Sequence, residues 1–156
     1  GEVEGLLFIP GFNTSLHWAL VRVGQMVAQG RLPFRIKPIV FSWPGGQSLS
    51  YALAKRAATS PWMAQDLLAT LRAMRGAGLT RVQILAHSMG NMVLLTALPQ
   101  LVSSRVFHPA NGGLRLLSVT LLSPDYPLDA FLTASFPLLQ SLHTPVTVYG
   151  DRHDKP

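Results

Sequence analysis

Short apolar runs alternate along this chain with longer stretches of helical periodicity, and that alternation restricts the fold more than any other feature of the sequence. Leu6-Leu7-Phe8-Ile9 is apolar at every position, as a strand buried on both faces must be, and Pro10-Gly11 stops it. From Ser15 to Gln29, Leu16, Leu20, Val23 and Val27 recur at helical spacing before Gly30. A second strand is predicted over Ile36–Trp43, ended by Pro44-Gly45-Gly46. Residues 48–60 read as a short helix with a loop, in the position of a cap. Ser60-Pro61 then opens a firmer helix with Ser as N-cap and Pro at its first position, its apolar face formed by Met63, Leu67, Leu71 and Met74. Arg81–Ala86 is a third strand, Ser88–Leu101 a helix, residues 103–114 a polar loop, Leu116–Leu122 a fourth strand, Leu128–Leu142 a helix and Val146–Tyr149 a fifth strand. An order of β-α-β-α-β-α-β-α-β predicts an α/β fold with a doubly wound, mostly parallel sheet of five strands. Its ligand site should lie beyond the carboxyl ends of the strands.

The 156 residues suit one domain, and a 48% hydrophobic content fills a sizeable core. Charged residues make up 13%, about half the share usual in soluble domains, which suggests a piece of a larger polypeptide. The formal charge of +6 comes from scattered cations; Lys55-Arg56 is the only adjacent pair and no aromatic residues interleave them, so nucleic acid is not an expected partner. No cysteine is present, which excludes disulfides and thiolate metal sites. No apolar run reaches the ~20 residues of a membrane-spanning helix, although association with a membrane surface is left open.

Two motifs fall at the carboxyl ends of predicted strands. Ala86-His87-Ser88-Met89-Gly90 lies between the strand carrying Val82, Ile84 and Leu85 and the apolar helix Met92–Leu98. A Ser on a tight strand-to-helix turn is crowded, so the residues two before and two after it must be small, and Ala86 and Gly90 are. A Ser capping a helix is a commoner and blander reason for the same five letters. The strand and helix around it favour a nucleophile, Ser88, with the backbone N–H of Met89 as one donor to a developing oxyanion. Pro10-Gly11-Phe12-Asn13-Thr14, directly after the first strand, can supply a second donor from Phe12.

These residues carry a resemblance. Pro10-Gly11-Phe12-Asn13-Thr14, Phe41-Ser42-Trp43-Pro44 and Ala86-His87-Ser88-Met89-Gly90-Asn91 are similar, in order and spacing, to an esterase/lipase-like family of the α/β-hydrolase superfamily. The likeness runs from about Leu6 to Asp154. It implies hydrolysis of carboxylic (acyl) esters, small-molecule or lipid, by a Ser–acid–His triad with no metal and no cofactor. Trp43 and Asn13 are then candidates to contact the substrate, and Tyr51, Trp62 and Met89 to line an acyl pocket. The family pattern places the triad acid at Asp154, after the last strand; Asp125, after the fourth, is the rival, and Asp151 a third choice. Pro10 stands where the family usually carries His, and an acidic residue usual after Phe-Ser-Trp-Pro is replaced near Ala54-Lys55.

In this superfamily the basic His follows the acid, and after Asp154 only Lys155 and Pro156 remain. His17, His87, His108, His143 and His153 are each expected to be structural or exposed. The final strand, final helix and catalytic His are therefore expected outside these residues, which by themselves should turn esters over poorly. A non-catalytic, hydrolase-like binding module of a larger protein is the alternative expectation.

Overall fold

A computed structural model of the chain describes residues 2–46 and 50–150. The strands are β1 (Glu4–Ile9), β2 (Ile36–Val40), β3 (Arg81–His87), β4 (Arg115–Leu122) and β5 (Val146–Tyr149). The helices are α1 (Leu16–Gln29), α2 (Tyr51–Ala58), α3 (Pro61–Gly76), α4 (Gly90–Ser103), α5 (Leu128–Ala130) and α6 (Phe136–Ser141). Between α5 and α6 the helix passes through one π-helical turn, Phe131–Ser135. Ser15, Ser50 and Ser60 cap α1, α2 and α3 by accepting from the backbone N–H three residues on, and Pro61 opens α3 as expected.

Every strand pair is parallel, in the order β2-β1-β3-β4-β5. The chain leaves β1 for β2 on one side, then crosses back over β1 to β3 on the other. The strand order reverses between β1 and β3, the position at which sheets of this kind place a ligand crevice beyond the carboxyl ends of their strands. Right-handed crossovers put α1 on one face of the sheet and α3, α4 and α6 on the other. The packing follows: the large core gathers Leu7, Ile9, Leu67, Leu71, Ile84, Ala86, Leu94, Leu98 and Leu121 beneath α3 and α4. A smaller cluster of Phe8, Ala19 and Val23, flanked by Val40 and Leu85, sits under α1. The register pairing Phe8 with both Val40 and Leu85 puts those three side chains on one face. No described helix is long and apolar enough to cross a membrane.

Two boundaries and the interior of one helix differ from expectation. The second strand ends at Val40: the Phe41 N–H still reaches the Phe8 carbonyl at 2.9 Å, but the chain then turns so that Trp43 packs inward. The helix after β3 begins at Gly90, because Ser88 has φ 50°, outside the helical region. The 128–142 stretch is helical as predicted, with its period broken by the π turn. Of the 48–60 cap, the helix is found at Tyr51–Ala58, while residues 47–49 lie outside the described ones.

Leu67 is fully buried, whereas Leu20 is 54% exposed on the outer side of α1. Leu67→Ala should cost about 2–5 kcal/mol of unfolding free energy, and Leu20→Ala about 0.5 kcal/mol or less. Chemical denaturation of the two variants measures both, and similar losses would show that the core is not where the fold puts it.

Candidate active site

Ser88 follows β3 at the reversal of strand order, and its main chain is held from several directions. Its N–H donates to the Leu122 carbonyl at 2.9 Å. Its carbonyl accepts from the Asn91 N–H (3.1 Å), the Asn91 Nδ2 (2.9 Å) and the Asp125 N–H (3.2 Å). A left-handed conformation costs a non-glycine residue about 1–3 kcal/mol and persists only where its surroundings over-determine it. Four hydrogen bonds over-determine this one. Asn91 is fully buried, and its Nδ2 also donates to Leu122 O at 3.1 Å, tying the start of α4 to the end of β4.

The turn after β1 presses directly on this elbow. A Cβ added to Gly90 would lie 2.3 Å from Ile9 O and 2.7 Å from Pro10 O, and one added to Gly11 would lie 2.8 Å from the Ser88 Cβ. Only glycine permits that approach from either side. The turn is held from its outer side as well: the Trp43 Nε1–H donates to Pro10 O at 2.7 Å, and the Asn13 N–H donates to Gly45 O at 2.8 Å. Among the described residues neither the Phe12 N–H nor the Met89 N–H donates to a protein acceptor. Helix α4 starts with no side-chain cap, and the N–H groups of Asn91 and Met92 in its first turn are taken by the carbonyls of Ser88 and Met89.

Of the two residues expected to contact substrate, Asn13 is exposed in this turn, with φ 57°. Trp43 is buried and its one donor is taken by Pro10. It also borders an open cavity of about 510 Å³ between the end of β2 and α3, with Phe41, Met63 and Asp66. Ser88, Phe12, Met89 and Asp125 are not part of that lining. Tyr51 and Trp62 are exposed, and the Met89 side chain is fully buried.

Asp125 is brought to Ser88. Its N–H binds Ser88 O, and its Oδ2 accepts from the Tyr51 hydroxyl at 2.7 Å. It does not cap the following helix, whose N-cap is Pro127. The Tyr51 ring in turn meets Phe12 edge-on at 5.8 Å, so α2, the β1 turn and the β4 turn close on one another beside Ser88. The bond to Asp125, then partial burial and the carboxylate's charge, raise the Tyr51 phenol above its ordinary value. Asp154, Asp151 and His153 lie outside the described residues. His108 and His143 precede β4 and β5, at the opposite end of the sheet; strands of this length span on the order of 20 Å, too far to reach Ser88. His17 is exposed in the first turn of α1, edge-on to Trp18, while His87 lies against the β1 turn, 3.4 Å from the position of a Cβ on Gly11. Among the described residues no group of three or more His, Asp or Glu gathers to hold a metal ion.

Asn91 was visible in the sequence only as the end of a motif. Its signal was a lone amide on an otherwise apolar helix, Met92-Val93-Leu94-Leu95, which a buried face tolerates only with partners.

Residues 2–156 match the family described as alpha/beta hydrolase of unknown function (DUF900). Among solved structures, the chain is similar to esterase PE8, with 14% identity and a TM-score of 0.55 over 99% of this chain and 84% of the other. It is also similar to a protein from Xanthomonas campestris pv. campestris assigned to the alpha/beta hydrolase superfamily, with 12% identity and a TM-score of 0.52 over 96% of this chain and 87% of the other. At these identities the likeness is one of fold. No curated protein matches the sequence.

Two outcomes follow from the elbow and its neighbours. Gly90→Ala drives a methyl into two backbone carbonyls and Asn91→Ala removes one donor from each of the Ser88 and Leu122 carbonyls; each should lower stability by about 1–3 kcal/mol. Urea unfolding checks this, and wild-type midpoints would mean that the elbow is loosely held. The neutral phenol is the form that donates to Asp125, so this contribution is present below the usual tyrosine value of about 10 and is lost as pH rises through the raised one. In Asp125→Asn, the 295 nm titration should show one tyrosine ionising at lower pH than in the wild type. An unchanged curve would break the assignment.

Proposed function

We propose that this chain, which belongs to the alpha/beta hydrolase family DUF900, is a serine hydrolase of carboxylic (acyl) esters with Ser88 as its nucleophile. The observation that carries the reading is Ser88 itself: a serine held at φ 50° by four main-chain hydrogen bonds, where the strand order reverses, beside the unengaged N–H groups of Phe12 and Met89. A strained elbow of this kind lifts the hydroxyl off the sheet toward the crevice.

In the proposed reaction the Ser88 Oγ attacks the ester carbonyl carbon and gives its proton to an imidazole base. The carbonyl π electrons move to oxygen, and that oxyanion takes hydrogen bonds from the Phe12 and Met89 N–H groups. Collapse expels the alcohol, which receives the proton from the imidazolium and leaves an acyl-serine. Water, deprotonated by the same base, releases the acid and restores Ser88. The base follows the acid in chain order, and Asp154 is the acid that orients it. Asp125 stands beside the nucleophile, but its carboxylate already takes the Tyr51 hydroxyl, which supports leaving the triad role to Asp154.

The surface around the crevice suits an apolar acyl group. Helices in this fold run antiparallel to the strands, so their first turns share the sheet end that carries Ser88. Among the described residues the exposed large hydrophobic ones, Phe34 apart, lie there: Leu16, Trp18 and Leu20 in α1, Tyr51 and Leu53 in α2, Trp62 in α3, Leu128 and Leu132 after β4, and Val148 and Tyr149 closing β5. An ester with an aliphatic or aromatic acyl chain, small-molecule or lipid, is the substrate class proposed. No metal, cofactor or nucleic acid enters the scheme.

A fluorophosphonate probe on the full-length protein should label the peptide containing Ser88 and fail on Ser88→Ala. Labelling that survives the substitution sinks the assignment, and no labelling of the wild type would favour a hydrolase-like binding module. Asp154→Asn should lower kcat by about 10⁴, with Asp125→Asn falling well short of that; the reverse ranking moves the acid to the β4 turn.

A further inference from the structure

We propose that Trp43 is a positioning residue for the oxyanion donor, acting through its indole N–H on the carbonyl of Pro10. The inference rests on the serine-hydrolase reading and assigns the segment Phe41–Gly46 a part in the reaction that the triad and the elbow do not supply.

The β1 turn can present the Phe12 N–H to an oxyanion only if the peptides on either side of Gly11 keep one orientation, and glycine there gives them the freedom to lose it. Two hydrogen bonds remove that freedom, and both come from the segment after β2. The Trp43 Nε1–H grips Pro10 O at 2.7 Å, and Gly45 O receives the Asn13 N–H at 2.8 Å. The span between the two grips is Gly11 and Phe12. Trp43 is itself fixed: its side chain is 5% exposed, and its ring folds over its own loop so closely that a Cβ on Gly45 would lie 2.2–2.5 Å from the indole. From the inner side, Gly90 leaves room for that same Pro10 carbonyl at the start of α4. One carbonyl is thus located by an indole on one side and by the elbow helix on the other, which sets the distance between the two proposed donors, Phe12 N–H and Met89 N–H. The indole N–H is a donor only, so no rearrangement of protons lets it serve a different partner in turn.

The test separates the N–H from the bulk of the ring. In the full-length protein, tryptophan at position 43 is replaced by benzothienylalanine, an isostere with sulfur in place of the N–H, and Trp43→Phe is made alongside. With the isostere, kcat for p-nitrophenyl acetate and the rate of phosphonylation of Ser88 should fall about tenfold to a hundredfold, since a misplaced oxyanion donor forfeits much of what such donors supply. KM and the thermal midpoint should stay near wild type, while amide exchange quickens at residues 11–14 and is unchanged in α3 and α4. Trp43→Phe should show the same kinetic loss together with a lower midpoint. A reactive wild type whose isostere variant keeps its rates overturns the role of Trp43 and leaves the hydrolase reading standing. A wild type in which Ser88 neither turns over substrate nor takes the probe overturns the hydrolase reading, and this role with it.

Discussion

Everything at the carboxyl end of the sheet depends on one carbonyl group, that of Ser88. Three donors converge on it from two elements, the main chain and side chain of Asn91 in α4 and the main chain of Asp125 after β4. Each hydrogen bond is worth only about 1 kcal/mol in net terms, but a main-chain N–H of Asn91 or Asp125 that lost this acceptor would be left without a partner, which costs more than the bond is worth. That asymmetry keeps Ser88 in a conformation that an unconstrained serine would leave. The same carbonyl fixes the spacing of β3, α4 and the β4 turn, and so decides how near the β1 turn may come. The chain meets that limit by omitting two Cβ atoms, at Gly11 and Gly90.

Left-handed backbone is not confined to this point, and its distribution separates two causes. Arg31, Arg105 and His143 have positive φ two residues past the ends of α1, α4 and α6, where a left-handed residue ends a helix by satisfying its last carbonyls. Asn13, Ser88 and Ser123 have positive φ just beyond β1, β3 and β4, where no helix ends and nothing about strand termination demands it. These three strands are neighbours in the sheet, and the left-handed residues lie in the turns that leave their carboxyl ends. Strain of the second kind belongs to the site; strain of the first kind belongs to ordinary helix closure.

What the sequence revealed and what it hid divide along the same line. Local patterns reported the elements: the continuous apolar run at Leu6–Ile9, the Ser60-Pro61 start of α3, and the spacing of Met63, Leu67, Leu71 and Met74 are properties of short windows, and the fold contains all of them. The elbow was legible because its requirements, small residues at 86 and 90, are also local. Contacts between windows were not legible. Nothing in Phe41-Ser42-Trp43-Pro44 says that the indole seeks a carbonyl thirty-three residues earlier, and the aromatic ring was more naturally read as a substrate contact. Asp125 could be named as a candidate but not placed, since its position beside Ser88 depends on β4 pairing with β3 one strand over. Boundaries failed where a tertiary contact overrode propensity: β2 gives up its last residues so that Trp43 can turn inward, and α4 loses its first two because Ser88 is held out of helical geometry.

The same end-to-end asymmetry explains a composition that looked contradictory, basic yet poor in charge. Arg31, Arg35, Lys37, Arg75, Arg81, Arg105 and Arg115 all lie near the amino ends of the strands or the carboxyl ends of the helices that precede them. Glu2 joins them there, paired with Arg81 at 2.6 Å, and Lys37 lies over the ring of Phe34, the one large exposed hydrophobic residue at that end. Cations near helix carboxyl termini also oppose the negative end of each helix dipole, so part of the positive charge is favourable where it stands. The end that holds Ser88 keeps Lys55 and Arg56 in α2 and Asp125 and Asp129 after β4, but most of the exposed apolar side chains of the described residues lie there. The proposed carbonyl addition at Ser88 would gain from that, because fixed N–H dipoles act on a developing oxyanion more strongly the less water and mobile charge surround them. Seven of the scattered cations that argued against a nucleic-acid surface in the sequence thus stand, in the fold, at the end away from Ser88, while Lys55 and Arg56 in α2 do not. Their placement leaves one end of a small domain richer in apolar side chains around a strained serine while the other end carries more of the charge.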